Sequence, residues 1–462
     1  MSHSSRRKFL QKIGATGLVA ASTAFPTVSR ARAEERMLRY DRRFSANDTV
    51  RVGVIGYGIQ GHFDLRAALQ VPGVELAAIC DLYTGRTEKA REDYGKDIFI
   101  TRDYRELLQR DDIDAVIIAS HDCWHAKHTL DALAAGKHVY VEKPMVYSVE
   151  EGHEVMRAAR KSDRVLQVGS QRVSSIAYVK AKELLAAGEI GDLNMVNAVY
   201  DRQSSIGAWQ YSIPPDANAK TTDWDEFIRV TEKMPFDAKK FFWWRAFHEV
   251  GTGVAGDLFI HLLSGVHFIT NSLGPESIYS TGQFSYWNDG RNMPDVMSGV
   301  MQYPDSDAHP AFQLTLRTNF IAGTGGGAVT EFIGSEGTID IGWTTVTVKR
   351  SLMPEAPGFG GYDSVFTFPE KMQGKMERAY QKQWTEAQRT APKKDDIVFK
   401  LPEGYSDHVD HFTNFFDGIR EGKPVVEDAE FGFRAVVPAL ACNESYFEKK
   451  VVRWDPKAMK MG

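Results

Sequence analysis

The chain has 462 residues, 43% of them hydrophobic and 25% charged, with 56 Lys and Arg against 61 Asp and Glu. That is the composition of a soluble globular protein of two or three domains, without the roughly 18 to 20 unbroken apolar residues needed to span a bilayer. The acidic balance leaves no electrostatic footprint for nucleic acid or anionic lipid, and Cys80, Cys123 and Cys442 are too few for a disulfide framework.

In chain order, residues 1–33 read as a leader. Arg6 and Arg7 precede Lys8, a modest apolar run extends from Ile13 to Phe25, and Ala31-Arg32-Ala33 sets small residues around a cleavable bond. This is the layout of a twin-arginine export signal, which implies the twin-arginine machinery as a partner and a periplasmic or otherwise exported location. Its removal strips Arg6, Arg7, Lys8, Lys12, Arg30 and Arg32 and no acidic residue, so the mature chain is more acidic still. Residues 34–48 follow as an N-terminal arm.

From residue 49 short apolar runs alternate with helical stretches. Strands are expected at 51–55, 74–80, 98–101, 115–120, 138–142 and 164–169, with helices at 61–70, from about 85, near 104–110, and at 126–136 and 149–161. Strands separated by helices of this length imply a parallel sheet with right-handed crossovers, so 49–169 reads as a doubly wound α/β domain. Beyond it the texture turns β-rich, with segments at 193–200, 276–284, 298–303, 311–318, 328–333, 338–341 and 345–349. Several alternate apolar and polar residues, as a half-exposed antiparallel sheet does. Residues 170–462 are therefore expected to form an α+β domain with an open, mostly antiparallel sheet. Within it, 352–400 reads as a surface excursion with one helix near 375–387. Helices at 408–421 and 429–448 and a segment at 451–454 close the chain.

The first strand runs into Gly56-Tyr57-Gly58-Ile59-Gln60-Gly61, and a helix follows. Gly56 permits a tight turn, Gly58 lets backbone N–H groups approach a pyrophosphate, and Gly61 lets the helix pack on the strand. The second strand ends at Asp81, where a carboxylate can accept hydrogen bonds from adenosine ribose hydroxyls. Asp81 favours NAD, while Arg86 is close enough to pair with the 2′-phosphate of NADP. The Rossmann fold and its dinucleotide follow from this combination.

The fifth strand ends in Glu142-Lys143-Pro144, and ligands of open α/β sheets bind beyond the carboxyl ends of the strands. Farther on, a glycine-rich turn at 251–256 leads through Asp257 to His261, and the four-residue gap puts both on one helical face. Neutral imidazole suits a base for a hydroxyl proton, and a nearby ammonium lowers the cost of an alkoxide.

These motifs resemble the glucose-fructose oxidoreductase, inositol dehydrogenase and MocA family: Gly56–Gly61, Ala132-Leu133-Ala134-Ala135-Gly136-Lys137-His138-Val139 before Glu142-Lys143-Pro144, and the Asp257/His261 pair. The resemblance extends to its secreted twin-arginine members through Trp124-His125 and Phe242-Trp243-Trp244-Arg245. It implies a sugar or polyol bound between nicotinamide and sheet, with Lys143 polarising the reacting oxygen, His261 as acid/base, and Asp257 orienting substrate or imidazole. It implies that Ser120, Trp124, His125, Glu142, Lys143 and Gln171 join the glycine turn in cofactor binding, and that Arg172, Trp244 and Arg245 reach the substrate. It also implies a homodimer or homotetramer formed through the sheet. Where the family commonly has Pro, this chain has His121. Glucose-fructose oxidoreductase carries a tyrosine at the His261 position, so inositol dehydrogenase is the better match there.

His408, Asp410 and His411 lack familiar metal spacing, and no metal site is expected; lining of the crevice, or capping by Asp407, is the expected role. Trp209, Trp224, Trp243 and Trp244 suit either sugar C–H surfaces or core packing. Two functions of different class share the site: NAD(P)-dependent hydride transfer with a tightly held, internally recycled cofactor, and glycoside cleavage by transient oxidation. A non-catalytic sugar sensor is a third.

Overall fold

The computed structural model describes residues 49–462; the leader and the arm lie outside the described residues. Near-continuous Val and Ile runs build a six-stranded parallel sheet from β1 (Val50–Ile55), β2 (Val74–Cys80), β3 (Phe99–Thr101), β4 (Ala115–Ile118), β5 (His138–Glu142) and β6 (Leu166–Gly169), in the order β3-β2-β1-β4-β5-β6. Helices α1 (Ile59–Ala68), α2 (Thr84–Tyr94), α3 (Tyr104–Leu108), α4 (His125–Ala134) and α5 (Val149–Lys161) connect them. The order turns at β1 and β4, and their carboxyl ends open a crevice there. Strands such as Ala115–Ile118, buried along their whole length, are what a sheet covered on both faces requires.

Helix α6 (Ile176–Ala186), capped by Ser175, was not expected from the sequence. It leads into a ten-stranded sheet built from β7 (Leu193–Asp201), β8 (Ser277–Gln283), β9 (Val296–Tyr303), β10 (Phe312–Asn319), β11 (Gly327–Gly334), β12 (Gly337–Ile341), β13 (Thr345–Arg350), β14 (Ile397–Lys400), β15 (Val452–Asp455) and β16 (Lys460–Met461). The order is β14-β13-β12-β11-β7-β10-β9-β8-β15-β16, antiparallel except where β7 pairs parallel with β10. Alternating residues of β9 and β10, including Met297, Met301, Leu314 and Leu316, are buried on one face. Helix α7 (Ile260–Thr270) packs on that face.

The excursion at 352–400 contains α8 (Glu370–Gln383), which buries none of its residues. It also ends in a strand where none was expected: β14 pairs with Thr345–Val348 of β13 and half-buries Ile397 and Phe399.

Two C-terminal helices return to the first sheet. Helix α9 (Asp407–Glu421) packs Val409, Phe412, Phe415 and Phe416 against Val52, Val54, Ile117 and Tyr140. Helix α10 (Ala429–Glu448) brings Phe433 onto α5, where a Cβ at Gly152 would stand 2.2 Å from its ring. A boundary at residue 169 therefore separates the sheets but not the cores. All three cysteines are buried and free, and no helix among the described residues is long and apolar enough to cross a membrane.

Candidate active site

The glycine turn is sterically determined. Gly56 has φ +93°, and a Cβ there would stand 2.6 Å from the Ala119 carbonyl oxygen; at Gly61 it would stand 2.0 Å from the Gly56 carbonyl oxygen. Gly58 opens α1 without a side-chain cap, and a Cβ there would meet nothing nearer than the Arg86 guanidinium at 3.5 Å. The first turn of α1 thus faces a cleft with unblocked N–H groups, which suits a pyrophosphate.

At the end of β2 the buried Asp81 carboxylate accepts hydrogen bonds from the Tyr57 and Tyr83 N–H groups, both 2.8 Å, with Arg86 Nη1 at 3.5 Å. Gly56, Gly58, Ile59, Gln60, Asp81, Arg86, Ser120, Trp124, Trp244 and Arg245 all border one cleft of about 1310 Å³. These features fit a bound dinucleotide: an open helix N-terminus for phosphate, and a carboxylate beside it for ribose.

A strap formed by residues 203–227 lines part of this cleft. It is bonded to the first domain by Tyr83 Oη to Asp216 (2.7 Å), Thr84 N to the Thr221 carbonyl (2.8 Å), Arg102 to the Lys220 carbonyl (2.9 Å) and Arg105 to Glu226 (2.7 Å). The Trp124 indole donates to the Phe227 carbonyl at 3.0 Å. His121 bonds the same carbonyl at 3.2 Å and stacks on the Phe227 ring. Burial pushes its imidazole down to about 3, so His121 is a neutral strap anchor.

The reactive groups meet where β5 approaches the second domain. Lys143 Nζ donates to Asp257 Oδ1 at 2.8 Å and to the Asp257 carbonyl at 3.0 Å, and Arg245 Nε donates to the same Oδ1 at 2.9 Å. Burial alone would raise the Asp257 carboxyl; Lys143, Arg245 and Arg202 outweigh it and hold the group well below the carboxylate range. Asp257 belongs to a π-turn, Ala255–Phe259, that precedes α7. Gly256 makes this possible, because a Cβ there would lie 1.8 Å from Thr252 Oγ1. Thr252 in turn donates from its N–H to Asp122 of the first domain at 2.8 Å.

His261 borders a smaller cavity of about 270 Å³ together with Gln60, Lys143, Gln171, Arg245 and Asp257. Burial, then the Lys143 and Arg172 charges, hold its imidazole well below the usual histidine range. Among the described residues its Nδ1 is buried without a hydrogen-bond partner, leaving Nε2 as the nitrogen able to exchange a proton with the cavity. The bonded partners of Asp257 are Lys143 and Arg245, not the imidazole.

Glu142 stands behind Lys143, accepting hydrogen bonds from Gln171 and, at 3.3 Å, from Gln60. Burial pushes its carboxyl up to about 7 against the pull of Lys143, and burial raises the neighbouring Asp64 likewise. His125 does not reach either cavity wall; its ring sits between the Pro144 carbonyl at 2.7 Å and the Ser120 carbonyl at 3.0 Å, one of which accepts its single N–H. Tyr57, Gly61 and Glu142 likewise shape the cleft without bordering it.

The sequence reading did not single out Tyr200, Arg202 or Trp343, which border the smaller cavity beside Arg172, Asp407 and His408. Ser406, not Asp407, caps α9. His411 is a core residue bonded to Ser174 and the Val168 carbonyl, and no cluster of three or more metal-type ligands occurs among the described residues.

Inositol 2-dehydrogenase of Salmonella typhimurium is 33% identical over 160 residues, 34% of this chain and 48% of that protein. An α-N-acetylgalactosaminidase of Shewanella oneidensis is 30% identical over 241 residues, 47% of this chain and 49% of that protein. The chain thus spans about half the length of the curated relatives it matches. The crystal structure of scyllo-inositol dehydrogenase from Lactobacillus casei with NAD(H) and scyllo-inositol shares the fold, with TM-score 0.58 over 88% of this chain and 99% of that one at 18% identity. Residues 50–170 match the NAD-binding Rossmann fold of an oxidoreductase family, and residues 228–453 match that family's C-terminal alpha/beta domain. The chain belongs to the Gfo/Idh/MocA oxidoreductase family and carries its NAD-binding Rossmann domain.

Proposed function

We propose that this protein is an NAD-dependent oxidoreductase that transfers a hydride to or from the hydroxyl-bearing carbon of a sugar, sugar derivative or polyol. The supporting observation is the ion pair of Lys143 with Asp257 beside a neutral His261, where the dinucleotide cleft adjoins the smaller cavity. The bound nicotinamide would supply the hydride acceptor or donor. His261 takes the hydroxyl proton on Nε2, Lys143 stabilises the developing alkoxide, and Asp257 fixes Lys143 and Arg245 in place. The dehydrogenases among the relatives act on inositols, which supports a polyol or sugar substrate.

The Arg6-Arg7 leader supports twin-arginine export to the periplasm, and the strap supports a cofactor that stays bound and is recycled within one active site. The open sheet supports a homodimer or homotetramer. Asp81 supports NAD, with Arg86 the residue that would admit NADP. A second reading, glycoside cleavage through transient oxidation, is favoured by the name of the Shewanella relative.

The test is to purify the protein without added nucleotide, identify any nucleotide in a denatured extract, and supply polyols, sugars and aryl glycosides. NADH accumulation with a polyol or sugar supports hydride transfer; aglycone release without net NADH supports the second reading. Folded protein that neither retains nor binds NAD overturns both. Turnover that survives His261→Ala would remove the assigned base.

A further inference from the structure

The smaller cavity carries more positive charge than a neutral polyol needs. Lys143, Arg172, Arg202 and Arg245 border it, against Asp257 and Asp407. Burial holds the His261 and His408 imidazoles below their ordinary range, so neither adds to or offsets that charge near neutral pH. Asp257 is committed to Lys143 and Arg245 through one oxygen.

Arg172 and Arg202 remain. Arg202 donates Nη1 to the Gly207 carbonyl at 2.8 Å; Arg172 hydrogen-bonds the Tyr178 side chain, is attracted by Asp407, and stacks with its Cζ 3.9 Å from the Trp343 ring centroid and 5.7 Å from that of Tyr200. Among the described residues neither guanidinium has a carboxylate within ion-pair distance. Stacking on an indole fixes the guanidinium plane and leaves the edge donors not bonded to Tyr178 available, the geometry that grips a planar carboxylate bidentately. Partly closed and unpaired cations are unfavourable until an anion arrives. A pyrophosphate on the first turn of α1 would not neutralise Arg172, which borders the smaller cavity and not the larger cleft, whereas Arg202 borders both.

We infer that the substrate of this site is a sugar acid, one sugar ring in size, whose carboxylate is gripped by Arg172 with Arg202 beside it while its reacting hydroxyl faces Lys143 and His261. The inference rests on the hydride-transfer reading of the same cavity. A volume of about 270 Å³ lies below the range of drug-sized pockets and suits a single ring.

Calorimetric titration of the NAD-loaded protein with matched pairs tests it: glucuronate against glucose, galacturonate against galactose, gluconate against sorbitol, with glucose 6-phosphate as the phosphate arm. At least one acid should bind tenfold or more tightly than its neutral partner, with the preference shrinking as salt rises. In Arg172→Gln the preference should fall below threefold, and Arg172→Lys should restore part of it. Neutral sugars binding as well as their acids, glucose 6-phosphate binding more tightly than every acid, or a preference unchanged in folded Arg172→Gln would each overturn the inference. An acid that binds without NADH formation or aglycone release leaves the carboxylate assignment standing and removes the redox reading. A neutral polyol that reduces NAD with no acid preference does the reverse.

Discussion

Lys143, at the end of β5, and Asp257, in the π-turn of the second domain, meet at 2.8 Å across the domain boundary. Asp257→Asn leaves two buried cations, Lys143 and Arg245, without their shared carboxylate, and breaking such a pair costs about 3–5 kcal/mol. Lys143→Met leaves Asp257 paired with Arg245 and should cost less stability while lowering kcat at least about a hundredfold, within the range of a lost charge stabiliser. Thermal melts and steady-state kinetics on both variants test this. Equal losses of stability would contradict the asymmetry.

His261 is held neutral by burial and by Lys143 and Arg172, so its base form persists below the pH at which a free histidine protonates. The acid limb of kcat/KM should therefore lie below the ordinary histidine range. His261→Ala should lower kcat by about 10²–10⁴. A wild-type inflection near the ordinary histidine value that vanishes in His261→Asn would refute the shift.

Gly58 and Gly61 should separate binding from folding. Gly61→Ala puts a Cβ into the Gly56 carbonyl and should give little folded protein. Gly58→Ala meets only the flexible Arg86 end and should fold, while blocking the close approach of the pyrophosphate. Circular dichroism with an NAD titration separates the two, and wild-type NAD affinity in Gly58→Ala would place the phosphates elsewhere.

Glu142 keeps its proton to about pH 7 when folded, against an ordinary 4.5. Between these values the native state binds more protons than the unfolded chain, so stability falls as pH rises through the window. Glu142→Gln removes that term. Its Tm relative to wild type should climb from roughly pH 5 to pH 8; a constant difference across the window would show that the carboxyl titrates normally.

Loosening the strap should free the nucleotide. Asp216→Ala and Arg105→Gln each remove one tie, to Tyr83 and to Glu226 of the cleft wall, at a residue that does not itself border the cleft. A hydrogen bond is worth about 0.5–1.5 kcal/mol, so each should speed NAD release roughly two- to tenfold in a chase experiment. An unchanged rate in both would mean that the strap does not gate release.

Local pattern carried much of this architecture. The strands Val74–Cys80 and His138–Glu142 and the helices Val149–Lys161 and Ala429–Glu448 coincide with their sequence-based bounds, because each is a strongly patterned run with clear ends. Gly56–Gly61 and Asp81 were legible because their chemistry depends on spacing within one βαβ unit. Trp343 was not, because nothing in the Ile341–Thr345 turn says that it overhangs a cavity shared with Arg172 and Asp257. The four-residue strand Ile397–Lys400 was obscured by the polar excursion before it. The π-turn at Ala255–Phe259 has no period that a short window can reveal, and Gly256 gains its meaning only once Thr252 is seen bonded to Asp122.

The packing of α9 under the first sheet has a consequence for how the chain is made. Val52, Val54 and Ile117 emerge from the ribosome well before the phenylalanines that cover them, Phe412, Phe415 and Phe416. Until then the nascent sheet presents a greasy face, and partly folded chains of this kind are prone to aggregate. The contact also lengthens the path to the native state, because loops this long must close before it rewards them. A truncation before residue 407 would leave the glycine turn on a sheet with one face uncovered, so α9 is as much a condition for nucleotide binding as the turn itself.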